Sequence, residues 1–244
     1  MIVGLALVIA ASCVFNNYID RDIDRVMKRT KNRALATGKI SPQAALIYAS
    51  ALLISGAVIL LLLTNALTML LALFGSFAYV VLYGIGKRKT VHGTVIGSIS
   101  GAVPPVVGYC ALSGRLDLAA LILFLILVFW QMPHFYAIAM YRREDYKSAH
   151  IPVLPLKSGD RMTQVQIIIY VVLFAAAAIS LTIFKYTGYT YLVVMLLVSL
   201  AWLMLGARGF KTLDPAKWAK RMFLFSLVVL MLTSIMISID RWLP

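Results

Sequence analysis

Acidic residues and cysteines are scarce in this chain. Nine of its 244 residues are Asp or Glu and two are Cys, against 23 Lys and Arg. Charged residues together make up 13% of the sequence, while 62% is hydrophobic and the mean hydropathy is +0.91. A soluble domain of this length is close to half apolar, so a soluble core is excluded. Cys13 and Cys110 each sit inside an apolar block, form no CxxC pair and have no metal-ligand spacing. They read as small buried residues. Polar and apolar residues do not alternate along the blocks, which excludes the strands of a membrane barrel. No charged leader and no Ala-x-Ala-like cleavage site accompany the first apolar run, so no signal peptide is expected. The net charge of +14 raises nucleic acid as a partner. The basic residues lie between apolar blocks, however, where they read as a topology signal and as groups for anionic ligands; no nucleic-acid partner is expected.

What the chain does contain is apolar blocks of about 20 residues, the length that crosses ~30 Å of hydrocarbon. Eight spans are predicted, at 1–19, 42–64, 67–86, 91–112, 118–141, 163–184, 189–207 and 222–239. All should be helices, because a lone helix satisfies its own backbone hydrogen bonds in lipid. The expected fold is an all-α polytopic membrane protein with one transmembrane domain over 1–244. The connections 20–41, 87–90, 142–162 and 208–221 hold 20 Lys and Arg, while the alternate links and the tail hold three, Arg115, Lys185 and Arg241. The positive-inside rule places the four basic connections in the cytoplasm. It also places Met1 outside, an odd start without a cleaved signal. A further helix before Met1 is therefore expected, making nine, and the chain reads as truncated at its N-terminus.

Ser41-Pro42 reads as a cap followed by the first helical turn. Gly93, Gly97 and Gly101 recur every four residues, which permits close helix packing. Pro104 and Pro105 are expected to kink or break the same helix.

Three clusters carry chemistry. In the first, Asn16, Asp20 and Asp24 fall at i, i+4 and i+8, one face of a helix leaving the membrane. Two carboxylates so placed repel each other, and a cation relieves the cost. Mg²⁺ takes hard oxygen ligands of this kind, with substrate phosphates completing its shell. Asn17 and Asp22 point elsewhere. Arg29, Lys31 and Arg33 follow, and basic groups beside a carboxylate–metal site suit phosphate oxygens. The second cluster runs from Trp130-Gln131-Met132-Pro133-His134 to Lys147. Tyr141 and Asp145 are again i and i+4, and His134 lies about two turns inside the hydrocarbon. His134 is either a packing residue, a general base or a substrate contact. The third is Lys87-Arg88-Lys89, which either adds cations to the site or only sets topology. His150 reads as a loop or interface residue.

Asn16-Asn17-x-x-Asp20-x-x-x-Asp24 followed by Arg29-Thr30-Lys31-Asn32-Arg33 resembles the first aspartate-rich motif of the UbiA-type intramembrane prenyltransferases. Gly93-Thr-Val-Ile-Gly-Ser-Ile-Ser-Gly-Ala-Val-Pro-Pro105, Trp130-Gln-Met-Pro-His134 and Asp145-Tyr-Lys-Ser-Ala-His-Ile-Pro-Val-Leu-Pro155 extend the resemblance over most of the chain. Within that superfamily they are most similar to the protoheme IX farnesyltransferase (heme O synthase) family. The resemblance implies a ring of nine transmembrane helices around a cavity, with the first absent here, in a bacterial inner membrane with its active face cytoplasmic. It implies transfer of farnesyl from farnesyl diphosphate to a vinyl group of heme B, giving heme O and diphosphate. Mg²⁺ would be held by Asp20, Asp24 and Asp145. Asn16, Tyr141 and His134 would join them in catalysis. Arg29, Lys31, Arg33, Lys87, Arg88 and Lys147 would bind the diphosphate. Beyond the bilayer, the implied partners are heme A synthase or the terminal oxidase assembly. A second motif in many superfamily members has two aspartates; here it reads Tyr141 and Asp145. Where quinone-type members carry Asp, His134 stands. Both departures disfavour a quinone precursor such as 4-hydroxybenzoate or naphthoate and leave open whether a second metal is held. Iron ligation by His92, His134 or His150 also stays open. A secondary transporter is the non-enzyme alternative, but its polar site would lie near the bilayer midplane rather than at one face.

Overall fold

The computed structural model describes residues 1–242. Its elements are α1 (Ile2–Val26), α2 (Pro42–Leu63), α3 (Ala66–Phe77), a π-helical turn (Ala78–Tyr83), α4 (Gly84–Lys89), α5 (Gly93–Ser113) and α6 (Leu118–Tyr141). Two short helices follow, α7 (Arg143–Ser148) and α8 (Leu154–Lys157), then α9 (Gly159–Ile183), α10 (Tyr189–Ala207) and α11 (Pro215–Ile239). There is no strand among the described residues. Eight helical stretches are long and apolar enough to cross a membrane, with α3, the π turn and α4 forming one of them. The eight expected spans are all present, and several run longer than their apolar cores. Each extension has a local cause. At α11, the Asp214 carboxylate accepts the Lys217 amide at 2.9 Å and Pro215 fills the first turn, so the helix starts seven residues before the apolar run. Ser41 caps α2 as expected, accepting the Ala44 amide at 3.2 Å.

The chain divides into two compact units, one comprising Met1–Ala120 and Glu144–Val153, the other Leu121–Arg143 and Leu154–Pro244. In the first, α1 and α2 meet where Gly4 faces Gly56; a Cβ on Gly56 would lie 2.7 Å from the Gly4 carbonyl. Of the three regularly spaced glycines of α5, Gly93 and Gly97 make the expected close approaches, while Gly101 is exposed and borders a cavity. A Cβ on Gly93 would lie 2.7 Å from the Lys87 Cα, and one on Gly97 2.9 Å from the Tyr83 ring. Close approach at these two positions seats the end of the third span against α5.

Of the two expected outcomes at the proline pair, a kink or a break, there is no break: α5 runs without interruption across Pro104 and Pro105. Adjacent prolines remove only two amide donors, and membrane helices tolerate that loss because the rest of the ladder has no water to turn to. A change of helix type falls in the third span, in the π-helical turn at 78–83, which contains no proline. A π turn adds a residue to the helical repeat and rotates everything after it. Beyond this one, Lys87 is buried while Lys89 is exposed.

In the second unit α9 packs on α10, with the Trp202 ring edge-on to Phe174 at 5.5 Å and the Tyr191 hydroxyl donating to the Ala178 carbonyl at 3.2 Å. Trp218 of α11 donates its indole N–H to the Leu205 carbonyl at 2.9 Å. Side chains such as Ile47, Ile54, Leu62 and Leu63 on α2 stay exposed. In water such a face would aggregate; in a bilayer it meets acyl chains.

Candidate active site

The Asn-Asp-Asp stripe is built as its spacing predicts. α1 stays helical past the apolar run to Val26, and Asn16, Asp20 and Asp24 are 7%, 6% and 4% exposed on its inner face. Asp22 points to water. Buried carboxylates need partners, and both find cations. The Lys87 ammonium donates to Asn16 Oδ1 at 2.9 Å and to the Asp20 carboxylate, and lies 4.9 Å above the Tyr83 ring. The Arg88 guanidinium donates to Asp20 Oδ1 at 3.2 Å and to the Ile19 carbonyl at 2.6 Å. Arg33 donates to Asp24 Oδ2 at 2.8 Å, and the Thr30 hydroxyl donates to the Asp24 backbone carbonyl at 3.2 Å. The connection from Met27 to Ile40 is thereby folded back on the helix, and Arg25 pins it further through the Ala36 carbonyl at 3.0 Å.

Three cations on two carboxylates leave one positive charge at the cluster. A prenyl diphosphate carrying one divalent cation has close to one net negative charge, which would balance it. Among the described residues no group of three or more His, Cys, Asp or Glu is placed to hold a metal alone. That suits Mg²⁺ rather than excludes it, because this ion uses one or two carboxylates and leaves the rest of its shell to phosphate and water. The hard oxygens of Asn16, Asp20 and Asp24 fit the requirement.

Of the other expected phosphate ligands, Arg29 and Lys31 are exposed on the same connection, and Lys147 is exposed on α7. Asp145 is half-buried on α7. Tyr141 closes α6, its hydroxyl accepting from Arg142 Nε at 3.1 Å and its ring 5.7 Å from Phe223. His134 is buried, stacked on Trp130 at 4.8 Å, with Nδ1 2.7 Å from the Ser226 hydroxyl. Ser226 escaped the sequence reading because it is one small residue in an apolar run, 92 positions from its partner. His92 and His150 are both exposed.

Below the stripe, α1, α3 and α5 enclose a cavity of about 270 Å³ whose walls include Leu5, Val8, Ile9, Val103 and Pro104. Ser12 and Cys13 border it just one turn before Asn16 on α1, and Tyr79 borders it from the π turn. The Ser12 and Ser76 hydroxyls pair at 2.8 Å, so this polar edge is satisfied. The Cys13 side chain is exposed to this space rather than buried, while Cys110 is buried as expected.

Eight membrane-capable helices, with an apolar cavity lined by the turns of α1 that precede a buried cluster of carboxylates and cations, define a polytopic membrane protein. The chain belongs to the UbiA prenyltransferase family, whose pattern it matches over residues 1–228. It is 51% identical to the protoheme IX farnesyltransferase of Protochlamydia amoebophila, over 98% of this chain and 84% of that protein. It is 52% identical to the protoheme IX farnesyltransferase of Photorhabdus laumondii, over 100% of this chain and 83% of that one. Among solved structures, digeranylgeranylglyceryl phosphate synthase shares its fold with a TM-score of 0.80 and 23% identity, covering 96% of this chain and 81% of that one. A UbiA homologue from Archaeoglobus fulgidus, solved with GPP and Mg²⁺ bound, aligns with a TM-score of 0.63 and 19% identity, over 97% and 87% of the two chains.

Proposed function

We propose that this protein transfers the farnesyl group of farnesyl diphosphate to a vinyl group of heme B, giving heme O and diphosphate, at the cytoplasmic face of a bacterial inner membrane. The observation that carries the reading is the buried Asp20–Lys87 and Asp24–Arg33 cluster on the helix whose preceding turns, through Ser12 and Cys13, line an apolar cavity. That arrangement suits one amphiphile with a diphosphate head and a hydrocarbon tail. The acceptor follows from relatives about half identical over nearly the whole chain, which are named for farnesylation of protoheme IX. They favour heme over 4-hydroxybenzoate or naphthoate.

Asn16, Asp20 and Asp24 would hold Mg²⁺, with Asp145 a further carboxylate for it. The ion supplies charge neutralisation to the diphosphate when bound. The residues do the rest. Lys87, Arg88 and Arg33 turn from carboxylate to phosphate oxygens and stabilise the charge that builds as the allylic C–O bond breaks. Arg29, Lys31 and Lys147, exposed to the cytoplasm, gather the anion on its way in. The farnesyl tail lies in the cavity, away from water. The π face of Tyr18, on the same helix as the stripe, steadies the allylic cation. A heme vinyl attacks it, and water quenches the resulting cation to the hydroxyethylfarnesyl product.

The test is acceptor choice. Purified protein is incubated with Mg²⁺, farnesyl diphosphate and either heme B or 4-hydroxybenzoate. Farnesylated heme and released diphosphate with heme B alone are expected. Product from 4-hydroxybenzoate and none from heme would overturn the reading.

A further inference from the structure

The proton positions around Ser226 are determined by which atoms can donate. Its hydroxyl oxygen lies 2.6 Å from the Phe223 carbonyl and 2.7 Å from His134 Nδ1. A serine hydroxyl has one proton, and a carbonyl can only accept. Both contacts are satisfied in one way: Ser226 donates to Phe223, and Nδ1–H of His134 donates to Ser226. His134 therefore carries a proton on Nδ1, and in the neutral ring its Nε2 keeps a lone pair. Nε2 has no hydrogen-bond partner among the described residues.

The surroundings hold this ring still. Trp130 stacks on it at 27° and donates its indole N–H to the Ser226 carbonyl at 2.7 Å, so Ser226 is tied at both its hydroxyl and its backbone. Phe223 lies 4.9 Å away and Phe135 5.2 Å, edge-on. Ser226 is fully buried and His134 is 8% exposed. A packing histidine needs no lone pair left over. A metal-ligating histidine needs just this: one ring N–H committed to an outer partner, which fixes the tautomer and raises the basicity of the other nitrogen. Of the three histidines, the other two are exposed, and neither has a side-chain hydrogen bond among the described residues to orient its ring.

We propose that His134 Nε2 is the axial ligand to the iron of the porphyrin acceptor, and that Ser226 is the positioning residue that holds it in the ligating tautomer. This rests on the reading that the acceptor is heme B. Axial ligation fixes the macrocycle from its centre and leaves the vinyl edge free to react. No covalent step passes through His134.

Full-length protein in detergent is titrated with heme B, and the ferrous form is examined by absorption and resonance Raman spectroscopy. The wild type is expected to show an iron–histidine stretching band. H134A should lose it, and added imidazole should restore it. S226A, which keeps the imidazole, should bind heme roughly 10-fold more weakly with a lowered iron–histidine frequency; S226T should recover both. Metal-free protoporphyrin IX serves as the control ligand, and its affinity should not change in H134A. An H134A spectrum equal to wild type, or a S226A spectrum and affinity equal to wild type, overturns the inference even if wild-type protein farnesylates heme. Wild-type protein that makes no farnesylated heme overturns the underlying reading instead.

Discussion

Asp20 and Asp24 are carboxylates that burial would make costly and that cations make tolerable. Removing one partner of such a pair typically costs about 3–5 kcal/mol, because the other charge is left buried and unpaired. Substitution by Asn keeps the shape and some hydrogen bonding, so it separates chemistry from folding better than Ala does. D20N and D24N are each expected to lower farnesyl transfer by at least about 100-fold while the protein still inserts and stays monodisperse in detergent. D22N, on the exposed side of the same helix, should leave turnover unchanged. Near-normal transfer by D20N and D24N would remove the stripe from the site. The stripe itself was legible in the sequence, since i, i+4 and i+8 share a face on any helix. Its partner Lys87 was not: it comes from 67 residues away, and a run of three basic residues reads equally as a topology signal.

The third span decides where Lys87 points. The π turn rotates α4 after Tyr83, and the Tyr79 and Tyr83 rings stack across it at 5.7 Å. Gly93 then lets α5 approach the Lys87 backbone directly. G93A is expected to destabilise the protein by about 1–3 kcal/mol, as overpacking does, and to lower transfer because Lys87 is displaced. G84A is the matched control, because a Cβ there meets no atom within 4 Å. Thermal unfolding in detergent and turnover read both variants; equal behaviour of the two would show that the Gly93 contact positions nothing. The glycine spacing was visible in the sequence. The π turn was not, because Ala-Tyr-Val-Val-Leu-Tyr contains no residue that dictates it, while the visible signal at Pro104-Pro105 marks a helix that continues.

Across the whole molecule, eight apolar helices make a multi-pass membrane protein, and the 20-to-3 division of basic residues predicts that one side of the membrane carries the cationic connections. The same prediction puts Asp20, Asp24 and their cations on that side. Topology is tested in a C13A/C110A background with K39C or R115C and a membrane-impermeant maleimide. K39C should label only in inverted vesicles and R115C only from outside; the reverse pattern would put the site on the other face. Span number, charge polarity and the composition of the Asn-Asp-Asp stripe follow from the sequence alone, because hydropathy, net charge and helical periodicity act over a few turns of chain. Tertiary packing alone decided that Lys87 lands on Asp20, that Ser12 and Ser76 close one edge of the cavity, and that Ser226 sets the tautomer of His134. These contacts join residues 64 to 92 positions apart. They depend on how far each helix is rotated about its axis, which a π turn and a few glycines determine and which no local pattern records.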